Sequence, residues 1–275
     1  DLGYSPLDII VDEPYCLNIP GSGEWCPKNY TKKFEGPVTM TDALKRSLNI
    51  PAVKVSESVG RDLVRRVASD FGIQSDLAAG PALALGASES TLLEMTGAYA
   101  GILNGGSAVT PFGLVELSLL GDSEPLMGTS GGIEERVIQE SSARQLVWMM
   151  EKVVSEGTGQ RAKFEGREIA GKTGTTQGAR DAWFIGFTGD YVAGVWMGYD
   201  DNSKLTGVTG GGLPADIWRE TMQRVHEGVP IKPLPMQAPK EPQQVAPVKN
   251  PGSDRPREER GIIENLLLDL LGGGN

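Results

Sequence analysis

The chain has 275 residues, which is enough for one large domain or two small ones with a sizeable core. Its formal net charge of −10, with no basic stripe to neutralise phosphates, argues against a nucleic-acid-binding function. One histidine and two cysteines cannot supply the usual four ligands of a zinc site, so we expect neither a metal nor a cofactor.

The sequence predicts neither a membrane span nor a signal peptide within these residues. No stretch of about 18 apolar residues occurs, so the sequence predicts no membrane-spanning helix. The first residues do not resemble a signal peptide, and the chain starts without Met, which leads us to expect a fragment of a longer protein.

Two cysteines, Cys16 and Cys26, flank a glycine-rich turn. A disulfide between them would close a small loop and would stabilise the fold by about 3 kcal/mol on the chain-entropy relation. Such a bond requires an oxidising compartment, and two free thiols are the alternative.

Caps, prolines and glycines divide the first half of the chain. Residues 1–38 read as loops with short extended pieces, because proline recurs throughout them. Four helices follow, each marked by an N-cap, a first-turn proline, a terminal glycine or a capping box: residues 42–47 after Thr41, Pro51 to Gly60, 61–71, and Thr91 to Leu103.

The second half of the chain combines helix and strand patterns. An apolar face at helical spacing predicts a long helix over residues 141–155. Three strand patterns follow, the last two close enough to predict a hairpin, at residues 169–176, 182–187 and 191–197. Pro214 begins a last helix that ends at His226, whose position favours a helix-dipole contact over a role as catalytic base.

The composition changes after Gly228. We predict one domain over residues 1–228, a proline-rich extended linker over 229–260 and a short apolar helix within 261–275. The terminal helix either docks on the domain or a partner, or crosses open solvent.

The stretch Lys172-Thr173-Gly174-Thr175-Thr176 lies in the first of the three predicted strands. Acyl-transferring serine enzymes use a Lys-Thr-Gly at a sheet edge to hold an anionic peptide end. Gly174 lacks a side chain and would let a substrate backbone lie against the strand. The alternative for Lys172 is a charge that protects a sheet edge.

A second motif, Ser47-Leu48-Asn49, is a Ser-x-Asn in the turn between two predicted helices. Such residues commonly cap helices, which is the alternative to a catalytic role. The pair of motifs is far more specific than either motif alone. We expect the two motifs to converge on opposite walls of one cleft.

With their flanking sequences, the two motifs resemble the transpeptidase domain of class A penicillin-binding proteins from about residue 3 to residue 226. The flanking stretches that carry the resemblance are Ala84-Leu85-Gly86, residues 91–100, Glu156-Gly157-Thr158-Gly159, residues 181–186 and residues 209–215. The resemblance implies an α+β fold, with helices packed on an antiparallel sheet as in serine β-lactamases, that is incomplete here at its N-terminus.

Members of this family join a membrane helix and a glycosyltransferase domain to a domain that cross-links stem peptides through a serine acyl-enzyme. The resemblance therefore implies D-Ala-D-Ala stem peptides and β-lactams such as penicillin as partners. It also implies an upstream glycosyltransferase domain in the parent protein and a location at the periplasmic face of the bacterial inner membrane.

The resemblance also assigns roles to residues. Ser47 would relay a proton to the leaving amine, Asn49 would orient the lysine base and the substrate peptide, and Lys172 would attract the substrate carboxylate. The hydroxyls of Thr173 and Thr175 would bond that carboxylate, and the Thr175 N–H would form half of the oxyanion hole. The full set of expected substrate-binding residues is Thr173, Gly174, Thr175 and Thr176.

In this family the nucleophile and its lysine base form a Ser-x-x-Lys sequence, and this chain contains none. We therefore expect both groups to precede Asp1 and the isolated chain to be inactive. We also expect residues 191–197 to present an unpaired apolar edge that lowers its stability. Two alternatives stay open: a serine β-lactamase or D,D-carboxypeptidase with the same motifs, or a non-catalytic binding or scaffold fragment.

Overall fold

The computed structural model describes residues 1–128 and 132–240. Asp1–Pro239 forms one compact unit. No helix in the described part of the chain is long and apolar enough to cross a bilayer. The predicted terminal helix, and the predicted linker beyond residue 240, lie outside the described residues.

Short antiparallel strand pairs form the N-terminal part, where the proline-rich sequence predicts extended pieces. The pairs are β1 (Ile9–Asp12) with β4 (Gly36–Thr39), and β2 (Leu17–Ile19) with β3 (Gly23–Trp25). Cys16 and Cys26 flank the β2–β3 hairpin and form a disulfide, so the two thiols are not free.

Three short helices lie next in the chain: α1 (Met40–Lys45), α2 (Asn49–Val59) and α3 (Arg61–Asp70). α1 begins earlier than predicted because Thr39, rather than Thr41, is its N-cap and accepts from the Asp42 N–H at 3.0 Å. Thr41 is buried and donates its hydroxyl to the Pro6 carbonyl instead. A tertiary contact therefore decides which threonine caps the helix.

The middle of the chain follows its local signals closely. α4 (Leu92–Leu103) begins with the predicted capping box between Thr91 and Glu94. The strands β5 to β8 are short and span Ser107–Val109, Glu116–Leu117, Met127–Gly128 and Ile133–Arg136. α5 (Glu140–Ser155) then buries the apolar face that its sequence predicts.

The central sheet has three antiparallel strands in the order β11-β10-β9, which are β9 (Ala170–Thr175), β10 (Asp181–Phe187) and β11 (Val192–Gly198). α6 (Leu213–Val225) covers one face, where Trp218 lies against Gly186 and donates its indole N–H to the Ala193 carbonyl. α4 covers the other face, where Leu92 lies next to Gly194. The predicted α+β fold, a sheet with helices packed on it, is confirmed.

The largest core cluster lies between the sheet and helices α5 and α6. Its buried members are Val154, Ala162, Ile169, Phe184, Ala215, Trp218 and Met222. β11 is at the sheet edge, with no partner strand beyond it among the residues that the structure describes. The lowered stability expected from this edge stays a prediction.

The compact unit extends past residue 228, where the sequence analysis placed the end of the domain. Residues 229–239 contain neither helix nor strand, but Leu234 is only 5% exposed and packs with apolar residues of α5. Arg167 donates to the first carbonyls of the segment, and Glu168 accepts from the Leu234 N–H. Proline prevents regular structure here but does not prevent apolar burial, which explains the difference.

Close packing at β9 predicts sensitivity to one methyl group. A Cβ on Gly171 would lie 2.8 Å from the Phe184 ring and 2.9 Å from the Ile185 carbonyl oxygen. Gly171→Ala should therefore lower the free energy of unfolding by about 1–3 kcal/mol. The matched control is Gly80→Ala, where φ is −84° and a Cβ meets no atom within 4 Å. Denaturant unfolding measures both, and equal stability of the two variants would contradict the packing argument.

Candidate active site

The two sequence motifs meet in space. Lys172, in β9, donates from Nζ to Ser47 Oγ at 2.7 Å, although the two residues are 125 positions apart in the chain. The same ammonium donates to the Thr173 carbonyl at 2.8 Å. The predicted convergence is therefore present for Lys172 and Ser47.

Ser47 has a backbone conformation that is rare for a residue with a side chain. It lies between α1 and α2 with a φ of +55°, in the left-handed region. This conformation costs about 1–2 kcal/mol for a residue with a Cβ. The Ser47 and Leu48 N–H groups hold the turn by donating to the Leu44 and Ala43 carbonyls, and Leu48 is buried. Backbone strain of this kind is concentrated at functional sites.

Burial changes the acid–base behaviour of Lys172. It lowers the pKa of the ammonium from 10.5 to about 8, because the charged form loses its hydration. At neutral pH the charged form still predominates. Lys172 lies in a weakly hydrated site, where it can donate a hydrogen bond to Ser47 and can also attract an anion.

Two loops contact the hydroxyls of the two threonines in β9: one precedes β9 in the chain, and the other follows β11. Thr173 Oγ1 lies 2.8 Å from Thr158 Oγ1, and Thr175 Oγ1 accepts from the Gly210 N–H at 3.0 Å. A Cβ on Gly210 would collide with the Gly174 backbone, so only glycine lets this loop lie against the strand. Thr173 and Thr175, two positions apart in a strand, share one face of it.

Asn49 belongs to the same turn as Ser47 but is held by other groups. It is the first residue of α2, and its N–H donates to Asn29 Oδ1 at 2.8 Å. Its side-chain Nδ2 donates to the Lys28 carbonyl at 2.7 Å. The structure therefore places Asn49 near Ser47 without a hydrogen bond to Lys172 among the described residues.

The Thr176 hydroxyl bonds the backbone of the turn after β9, and the expected contact of Thr176 with a substrate stays a prediction. Its Oγ1 accepts from the Arg180 and Asp181 N–H groups at 3.1 and 2.8 Å. Its own N–H donates to the Asp181 carbonyl. These bonds close the connection from β9 to β10, so the Thr176 hydroxyl serves the turn.

Sequence reasoning gave no site role to Thr158 or Gly210. Both lie in stretches that contributed to the family resemblance, but neither is a titratable or nucleophilic group by itself. The Thr158 N–H donates to the Lys45 carbonyl at the end of α1, while its hydroxyl contacts Thr173. Thr158 thus connects the helix before Ser47 to β9, which only the tertiary structure reveals.

The chain is similar to known penicillin-binding proteins. Residues 17–223 match the family described as the penicillin binding protein transpeptidase domain. The chain is 32% identical over 256 residues to penicillin-binding protein 1A of Rickettsia prowazekii, covering 84% of this chain and 32% of that protein. It is 38% identical over 208 residues to penicillin-binding protein 1A of Aquifex aeolicus, covering 75% of this chain and 28% of that protein.

Solved structures agree with this similarity. The crystal structure of penicillin-binding protein 1A from Haemophilus influenzae matches with a TM-score of 0.75 at 27% identity, over 84% of this chain and 41% of that one. PonA1 from Mycobacterium tuberculosis in complex with penicillin V matches in fold, with a TM-score of 0.72 at 24% identity over 87% of this chain and 70% of that one. The chain spans about a third of the length of the curated relatives it matches.

The lowered pKa of Lys172 yields a prediction for its titration. Its signal should titrate near pH 8 by ¹³C NMR of protein labelled at lysine Cε, assigned through its loss in Lys172→Arg. An unfolded lysine keeps its proton up to about pH 10.4. Titration of Lys172 therefore makes the folded state more stable as the pH rises from about 8 towards that value.

Denaturant unfolding at several pH values should show this gain in the free energy of unfolding for the unsubstituted chain. Lys172→Ala should lack the gain. A Lys172 signal that titrates above pH 10 (roughly the ordinary lysine value) would contradict the burial argument.

Proposed function

The chain belongs to the penicillin-binding protein transpeptidase family, and we propose that it provides the anion-binding and proton-relay residues of a peptidoglycan D,D-transpeptidase. Its ligands are D-Ala-D-Ala stem peptides and the β-lactams that occupy the same site. The single observation that carries this proposal is the 2.7 Å contact between Lys172 Nζ and Ser47 Oγ. That contact joins two distant motifs in one polar site.

The proposed roles follow from charge and hydrogen-bond direction. Because Ser47 Oγ accepts from Lys172, its own proton is free to be donated to the leaving amine nitrogen. The Lys172 ammonium attracts the substrate carboxylate, and the hydroxyls of Thr173 and Thr175 bond it. Asn49 supports the substrate peptide.

The Thr175 N–H is the proposed donor for half of the oxyanion hole. A serine oxygen attacks the D-Ala carbonyl carbon and forms the acyl C–O bond. The C–N bond then breaks as the leaving amine nitrogen accepts the proton that Ser47 donates. A donor placed at the developing oxyanion typically lowers the barrier by about 2.7–4 kcal/mol. Gly174 leaves room for the substrate backbone beside the strand.

The nucleophile belongs to the proposal as well. No Ser-x-x-Lys occurs in the 275 residues, and we propose that a longer protein supplies it, together with the lysine base. From the family resemblance we further propose a bifunctional parent with a glycosyltransferase domain; the chain covers only 32% of the length of penicillin-binding protein 1A of Rickettsia prowazekii, which leaves room for such a domain. Such a parent would be anchored at the periplasmic face of the inner membrane.

A fluorescent penicillin tests the proposed function. The 275-residue chain alone should show no covalent label, whereas the longer protein with its Ser-x-x-Lys segment should be labelled. Lys172→Ala in the longer protein should slow labelling at least about 100-fold, as expected for loss of a buried electrostatic contact to the reacting ligand. The control is Lys232→Ala, an exposed lysine, which should label at the original rate. Normal labelling of Lys172→Ala would sink the assignment of Lys172.

The fate of the label separates the remaining alternatives. Rapid hydrolysis of the bound penicillin indicates a serine β-lactamase, whereas a long-lived acyl-enzyme agrees with a transpeptidase. Absence of label on the longer protein, with its fold intact by circular dichroism, indicates a non-catalytic binding or scaffold role.

A further inference from the structure

A buried carboxylate is connected through Asn29 to the Ser47–Asn49 turn and does not belong to the proposed catalytic set. Asp12 ends β1 and is 0% exposed. Its oxygens accept from Asn29 Nδ2 at 2.8 and 3.0 Å and from the Glu35 N–H at 2.9 Å. Burying an ionised carboxylate costs several kcal/mol unless hydrogen bonds satisfy it. The Asp12 carboxylate is therefore held in a specific polar site by the Asn29 amide and the Glu35 N–H.

The carboxylate fixes the orientation of one amide. Asn29 is 3% exposed, and its Nδ2 donates to Asp12 and to the Lys33 carbonyl. Both partners are pure acceptors, so the NH₂ group must face them. The Asn29 Oδ1 then has one direction left, in which it accepts from the Asn49 N–H at 2.8 Å.

That bond satisfies a helix end that lacks its own cap. The first N–H groups of a helix have no partner within the helix. Leu48 is the N-cap residue of α2 and has no side-chain acceptor. The Asn29 side chain takes over this role from another part of the chain, while the neighbouring Lys28 carbonyl accepts from Asn49 Nδ2 at 2.7 Å. Residues 28 and 29 thus hold both the backbone and the side chain of Asn49.

We propose that Asn29 is a positioning residue for the acyl-transfer site and that Asp12 keeps it oriented. Asn29 acts through Asn49 and touches neither Lys172 nor the proposed substrate. The inference rests on the proposed function, because the turn that Asn29 fixes contains Ser47, whose hydroxyl contacts Lys172. A displacement of a reacting group by about 1 Å can slow an enzyme about 100-fold, so an indirect contact that positions the turn can affect the acylation rate.

One single and one double variant test the proposal in the longer protein that carries an upstream Ser-x-x-Lys. The double variant exchanges the carboxylate and the amide between positions 12 and 29. Asn29→Asp is isosteric, removes the donors and sets two carboxylates against each other, which disfavours the ionised pair. It should slow penicillin acylation of folded protein at least about 10-fold, within the range expected for a displaced group. Asp12→Asn combined with Asn29→Asp restores one donor facing one carboxylate and should recover most of the rate.

The matched control is Thr188→Val, which breaks another buried polar pair, Thr188 Oγ1 with His226 Nε2 at 2.8 Å. It should lower thermal stability yet leave the acylation rate of folded protein unchanged. Should Asn29→Asp fail to fold, Asp12→Asn decides: it replaces one of the two acceptor oxygens that face Asn29 Nδ2 with a donor and keeps one oxygen for the Glu35 N–H, and a several-fold loss of rate is expected. A folded Asn29→Asp or Asp12→Asn protein that acylates at the original rate, or a folded double variant as slow as Asn29→Asp, overturns the proposal.

Hydrogen exchange separates this proposal from the proposed function. The Asn49 amide should lose protection in Asn29→Asp and regain it in the double variant, whether or not any penicillin reacts. If the unsubstituted longer protein does not acylate while this exchange pattern holds, the proposed function fails and the positioning contact stands. If acylation occurs normally but the Asn49 amide keeps its protection in Asn29→Asp, the positioning contact fails alone.

Discussion

A partly desolvated ammonium organises the proposed site. Lys172 reaches across from β9 to the turn between α1 and α2, where Ser47 Oγ accepts its hydrogen bond at 2.7 Å. Its second acceptor, the Thr173 carbonyl, is also neutral. Burial disfavours the charge, which is why the pKa falls to about 8, and a carboxylate brought next to it gains a correspondingly strong attraction.

Placing that ammonium requires support from several separate parts of the fold. The sheet fixes β9, and the loop that carries Thr158 bonds both α1 and the strand. The turn at Ser47 accepts a strained left-handed backbone, and Asn29 caps the helix that follows it. The strained backbone of Ser47 and the capping contact from Asn29 both agree with a turn that holds the Ser47 hydroxyl in a fixed place.

Local signals predicted most elements because their causes are local. The Thr91 capping box and the hairpin between β10 and β11 depend on neighbours within a few residues, and both occur as predicted. Two boundaries differed because a distant group intervenes. Thr41 is diverted from capping α1 by the Pro6 carbonyl, and the tail stays on the domain because Leu234 finds an apolar site.

The sequence by itself determined the family, the α+β class and the two motifs that contain Lys172 and Ser47, because motif residues and hydrophobic periodicity are properties of the linear chain. Only the tertiary structure decided that those two side chains are in contact. It also revealed that Asn29 holds Asn49 and that the Thr176 hydroxyl closes a turn. The physical reason is that hydrogen-bond partners are set by the path of the backbone in space, and residues far apart in sequence carry no mark of their future neighbours.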